Sequence, residues 1–124
     1  MLYAFLAYHA VGTTDAMTPE QDQALMMDLH TVHRRLLAEG ALGPAAKLDS
    51  VRTAKTVRPR APVMDGPFAE TKEQLLGFYV VDFPSLDEAV AAARALSDVN
   101  PSAVYEIRPI DLYLSGKPIE GAAL

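Results

Sequence analysis

The chain contains no cysteine, which excludes disulfides, thiol catalysis and cysteine-held iron–sulfur clusters. No apolar run approaches the ~20 residues of a membrane-crossing helix. Residues 1–8 are apolar but short, without a basic segment or a cleavage site, so they read as a strand and not a signal peptide. A soluble, cytoplasmic protein is expected, with no membrane partner. Basic residues are outnumbered, 11 Lys and Arg against 16 Asp and Glu, for a net charge of -5. Phosphate binding needs clustered cations, so no nucleic-acid partner is expected. The basic residues that do cluster, Lys47, Arg52, Lys55, Arg58 and Arg60, alternate with small and apolar ones. They read as the solvated face of a hairpin, with contact to an anionic small molecule as the alternative. No Gly-rich phosphate loop, nucleophile elbow or dinucleotide fingerprint is present, and no cofactor is expected.

What is present is ordinary globular material: half the residues are apolar and 22% charged, far from the signature of disorder. The 124 residues suit a single domain over 1–110 with a tail at 111–124. Residues 2–8 predict a first strand, and a loop at 12–15 follows. Thr18, Pro19 and Gln21 form a capping box with proline at the first helical position. The helix they open should close at Gly40. Leu25, Leu29, Val32 and Leu36 make one apolar stripe at ~100° per residue, with His33 inside that sector and His30 at its margin.

Beyond Gly43-Pro44, residues 45–48 and 53–58 read as two short strands around a turn at Asp49-Ser50. Residues 75–83 read as the central strand. Ser85 and Glu88 box the start of a second helix, and residues 103–109 form the last strand. Strand, helix, two short strands, long strand, helix, strand is the order of an α+β, ferredoxin-like antiparallel sheet with two helices on one face. The central strand is apolar on both faces, as is the first. Two helices cover only one of them, whereas half-solvated sheets normally alternate apolar with polar residues. A homodimer packing two sheets face to face is therefore expected, with the tail (Leu112, Leu114, Ile119) as the alternative cover.

The block Asp65-Gly66-Pro67-Phe68-Ala69-Glu70-Thr71-Lys72-Glu73 resembles the signature of DGPF-type proteins in the YCII-related group. Gly77-Phe78-Tyr79, the second helix and Glu106-Ile107-Arg108-Pro109 are similar to that family's later blocks. The resemblance implies a dimeric α+β barrel. It also implies a His-Asp pair working on a small organic molecule, with the histidine on the first helix. His33, seven residues before Gly40, matches that place. Asp65 is the first choice for its carboxylate and Asp49 the second. Many members carry Asp-Pro after the second helix, where this chain has Asn100-Pro101.

An imidazole near neutral pKa can take and return a proton, and a carboxylate would fix its tautomer. His33 and Asp65 are thus the candidate catalytic residues. The plain alternative is a core histidine bonded to a backbone carbonyl, and a turn at Asp65-Gly66 needs no catalytic purpose. Tyr79, His9 and Phe68 are candidate substrate contacts. Their plain readings are a core tyrosine with a satisfied hydroxyl, a solvated strand end and an exposed rim. His30 and His33 share metal-binding spacing but lack a further ligand, so no metal is expected. Glu106 and Arg108 read as an ion pair. Two functions remain open: a cofactor-free acid–base enzyme, or a non-catalytic, homodimeric small-molecule-binding or regulatory module. DGPF-type domains sometimes stand beside sigma factor regions, which the resemblance adds to the second.

Overall fold

A computed structural model gives the fold, describing residues 1–116. Strand β1 (Leu2–Ala10) is followed by a single helical turn, α1 (Thr13–Ala16), and the long helix α2 (Pro19–Ala38). Strand β2 (Leu42–Lys47) leads to a 3-10 turn (Val51–Thr53) and the short strands β3 (Lys55–Thr56) and β4 (Met64–Asp65). Strand β5 (Glu73–Asp82), helix α3 (Leu86–Val99) and strand β6 (Ala103–Pro109) complete the chain. The main sheet has the order β2-β5-β1-β6 and all its pairings are antiparallel. This is the ferredoxin-like α+β arrangement that the element order implies.

The helices start where their caps dictate. The Thr18 side chain accepts from Gln21 N–H at 3.1 Å, and the Gln21 side chain accepts from Thr18 N–H at 2.9 Å. Two otherwise orphaned donors are satisfied reciprocally. In α3 the Ser85 hydroxyl accepts from Glu88 N–H at 3.3 Å. Helix α2 stops at Ala38, one residue before its Glu39 cap, with Gly40 next.

Both long helices lie on the same face of the sheet. Leu29, Val32 and Leu36 of α2 and Ala89, Ala92, Ala93 and Leu96 of α3 join Tyr3, Phe5, Val81 and Phe83 in one buried cluster. Phe5, Leu36, Leu96 and Val81 are its fully buried side chains, each stabilising by about 1.5–3 kcal/mol relative to exposure. The alanines of α3 let that helix approach closely. The opposite face is apolar too. Leu2, Ala4, Leu6 and Tyr8 stand beside Phe78 and Val80 there, all only half-buried.

Two expectations need correction. Residues 12–15 are not simply a loop, because Thr13–Ala16 close one helical turn. The segment 45–48 does not pair with 53–58. Residues 42–47 join the main sheet against β5, and β3 pairs with β4 instead. The reason is glycine at position 77: a Cβ there would lie 2.3 Å from the Ala46 carbonyl oxygen, so only glycine lets β2 close onto β5. Of the tail's described residues, Leu112 and Leu114 are 74% and 80% exposed. Ile119 lies outside the described residues.

Candidate functional site

Helix α2 carries its core stripe through Leu29, Val32 and Leu36, and His33 stands beside that stripe, half-buried against the sheet. On β5, Tyr79 follows the same parity as buried Val81 and pairs with buried Phe5 of β1. Its ring therefore faces the helices. The two meet: His33 Nε2 and Tyr79 Oη are 2.7 Å apart, a short, strong hydrogen bond by ordinary geometry. Their rings are tilted by 57° with centroids 5.3 Å apart. His30, one turn earlier, meets His33 edge-on with centroids 5.5 Å apart.

Burial holds the His33 pKa below its ordinary value, and the positive charge available to His30 lowers it further. Burial pushes the Tyr79 phenol well above its ordinary value, and neighbouring Tyr105 adds to this. At neutral pH the pair is thus a neutral imidazole hydrogen-bonded to a protonated phenol. Such a pair can exchange a proton without leaving a buried charge unpartnered.

A second polar pair lies on the same sheet face. Asn100 is 3% exposed, the buried polar residue among those described. Its backbone N–H caps α3 by donating to the Leu96 and Ser97 carbonyls. Its side-chain amide donates to Tyr105 Oη at 3.0 Å. Burial raises the Tyr105 pKa, while the Asn100 hydrogen bond opposes that rise. Tyr105 did not stand out in the sequence, and Asn100 did so only as the residue standing where many family members carry aspartate.

The other expected site residues do not gather at His33. Asp65 forms its ion pair with Lys55 across the β3–β4 hairpin, and its side chain is 86% exposed. Gly66 turns there at φ 89°, a conformation that favours glycine. Asp49 accepts from the Ser50 N–H at 2.7 Å, within its own turn. None of the ion pairs among the described residues includes His33. The partner expected to be a carboxylate is a phenol. His9 sits half-buried at the end of β1, with Nε2 3.0 Å from Thr14 Oγ1. Burial and then Lys47 lower its pKa. Phe68 is 77% exposed. Glu106 and Arg108 do form the expected pair, at 3.9 Å.

Two concavities lie away from the histidine. One of about 120 Å³ is bordered by Leu2, Leu42 and Tyr113, and a wider one of about 500 Å³ by Arg35, Glu39, Phe83 and Glu88. Among the described residues no group of three or more His, Cys, Asp or Glu could hold a metal ion. No described helix is long and apolar enough to cross a membrane.

Residues 1–112 match the family model of the YCII-related domain. The chain belongs to the YCII-related family. An uncharacterised protein of Rhizobium meliloti (strain 1021) is 51% identical over 121 residues, covering 94% of this chain and 98% of that protein. The YCII-related match takes in both halves of the candidate site, from His33 and Tyr79 to Asn100 and Tyr105.

Proposed function

We propose that this YCII-related chain is an acid–base enzyme acting on a small organic molecule, with His33 and Tyr79 as the proton-handling pair. The 2.7 Å contact between His33 Nε2 and Tyr79 Oη carries the reading. With Nε2–H donating to the phenol oxygen, the Nδ1 lone pair is free to take a proton from substrate. Tyr79 then keeps its own proton for a substrate oxygen. The depressed His33 pKa supplies the base form at neutral pH. In this reading the phenol fixes the imidazole tautomer, the task otherwise given to a carboxylate. Asp65 instead holds the hairpin through Lys55. The test is an NMR titration of His33 with and without a metabolite mixture. A midpoint below the ordinary histidine value that moves with ligand supports the proposal. A ring that neither titrates between about pH 5 and 9 nor responds to any ligand sinks it.

A second reading rests on a different observation, the apolar sheet face opposite the helices, whose side chains are only half-buried among the described residues. In it the chain is a homodimeric ligand-binding or regulatory module, and His33 contacts a metabolite without turning it over. Leu2, Ala4, Leu6, Phe78 and Val80 offer a self-complementary patch for a second copy. Glu106 and Arg108 flank that patch opposite Leu6 and Ala4, bringing both charge signs to its rim, which is compatible with a two-fold, self-complementary contact. Sedimentation equilibrium decides the assembly: a single 13.4 kDa species at high micromolar concentration rules the dimer out.

A further inference from the structure

We infer that Tyr105, oriented by Asn100, is a second O–H donor of the His33 site, and that the substrate class is a small carbonyl compound with an ionisable C–H bond beside its carbonyl. The inference rests on the acid–base reading above and names its substrate.

The argument starts from what an amide can do. The Asn100 side-chain nitrogen is a donor only, and it donates to Tyr105 Oη at 3.0 Å. The phenol oxygen therefore accepts from Asn100, and its own proton points elsewhere. Among the described residues the Tyr105 hydroxyl has no other hydrogen-bond partner. The Tyr105 phenol is only half-buried, so its proton is open to solvent and to a ligand oxygen alike. The amide is held rigidly, because Asn100 is buried and its backbone caps α3 by bonding the Leu96 and Ser97 carbonyls.

Sheet register places this donor beside the histidine pair. Strand β1 runs between β5 and β6, with Phe5 opposite Tyr79 and Ala7 opposite both Gly77 and Tyr105. All these positions share the face that packs on the helices. The two tyrosines stand on either side of β1, one step apart, and the residue in Tyr105's row is Ala7, with only a methyl group. The row continues at Gly77, which has no side chain at all. The large Phe5 side chain stands in Tyr79's own row, so an approach between the Tyr105 hydroxyl and the Tyr79–His33 pair runs over Ala7 and Gly77. The two phenols sense each other electrostatically.

A base flanked by two neutral O–H donors suits one kind of step. His33 Nδ1 takes the proton from carbon, and the C–H electron pair becomes a C=C bond. The carbonyl π pair moves onto oxygen, where Tyr105 and Tyr79 donate to the developing negative charge. Return of the proton from His33 to the same carbon closes an exchange or racemisation, and its delivery to the enolate oxygen closes a keto–enol tautomerisation, with no other reactant.

The test is α-proton exchange in D2O, followed by proton NMR, using acetoacetate, pyruvate and acetylacetone as probes with the wild-type chain, Tyr105→Phe and Asn100→Asp. Wild type should accelerate exchange for at least one probe. Tyr105→Phe should lower that rate by about 10²–10³-fold, the usual cost of one lost oxyanion donor, with the His33 titration unchanged. In Asn100→Asp the carboxylate accepts the Tyr105 proton and withdraws it from the site, so a similar loss is expected. If Asn100→Asp does not fold, Tyr105→Phe decides alone. Two results overturn the inference: no exchange with any probe although His33 responds to metabolites, or full exchange per folded molecule in Tyr105→Phe. The first leaves the acid–base reading standing; a His33 silent to every ligand removes both.

Discussion

Replacing Gly77 with alanine tests the contact on which the position of β2 depends. The new Cβ would lie 2.3 Å from the Ala46 carbonyl oxygen and 3.2 Å from Lys47 Cα. Carbon and oxygen ordinarily approach to about 3.3–3.6 Å, so something must move by about 1 Å. Strand β5 is paired with β1 along its whole length, whereas β2 is an edge strand held on one side only. The end of β2 therefore yields. Overpacking of this kind costs about 1–3 kcal/mol. Retreat of β2 also endangers the bond from Leu48 N–H to the Leu76 carbonyl, now 2.8 Å, worth about 1 kcal/mol net. Alanine restricts the unfolded chain, which returns about 0.4–1 kcal/mol. The net expectation is a loss of about 1–3 kcal/mol. Urea unfolding measures it, by a lower midpoint at an unchanged denaturant slope. Because β5 stays in place, the His33 titration should not change. A Gly77→Ala chain as stable as the parent would refute the close approach. A chain with a displaced His33 midpoint would refute the claim that β2, not β5, gives way.

Other outcomes follow from the same packing. Leu96 is fully buried, so Leu96→Ala should cost about 2–5 kcal/mol in urea unfolding. Thr18→Ala breaks the capping box on α2 and should cost about 0.5–2 kcal/mol by thermal melting. Asp65→Asn removes an exposed ion pair; it should cost less than about 1 kcal/mol and leave the His33 NMR titration untouched, whereas a shifted midpoint would restore Asp65 to the site. Stability should fall as pH drops below the ordinary histidine value. The folded pKa values of His33 and His9 are both depressed, mainly by burial, so the unfolded chain takes up protons first. Their contribution is complete above the unfolded pKa and is lost as pH falls through the folded values. Denaturant midpoints measured between pH 7.5 and 5 check this, and His33→Gln should flatten part of the slope.

Local chemistry was readable from the sequence. Thr18, Gln21 and Ser85 act through neighbours three residues away as their spacing implies, whereas the Glu88 side chain accepts from the Ser85 hydroxyl and leaves that box half made. Residues 103–109 form the last strand as read. The stripe of Leu25, Leu29, Val32 and Leu36 needs only the helical period to point inward. What failed was pairing at longer range. Residues 45–48 and 53–58 looked like a hairpin because they are close in sequence and share a turn. A glycine some thirty residues further on decides the matter: its missing Cβ lets the Ala46 carbonyl approach β5, and no periodicity announces that.

The histidine shows the same limit more sharply. Its place on the inner side of α2 was legible, because helical phase alone sets it. Its partner was not. Asp65 is attractive in sequence as a carboxylate beside a turn, but β4 pairs only with β3, and that two-stranded hairpin hands the aspartate to Lys55. Tyr79 lies 46 residues from His33, and two independent registers must agree before they touch. Strand β5 must put its odd residues on the helix side, which the pairing of Tyr79 with Phe5 achieves. Helix α2 must also cross the sheet over that row. Tyr105 needs a third agreement, β6 against β1, and Asn100 must end α3 where its amide can reach the phenol. Each register is fixed by burial of the opposite partners, Phe5 above all, and not by the polar groups themselves. A polar pair can be carried into place by a hydrophobic core that makes no use of its chemistry. In this fold Phe5 positions the Tyr79 to which His33 is hydrogen-bonded, so a one-residue slip of β5 against β1 would point Tyr79 at the opposite sheet face and leave the imidazole without its phenol.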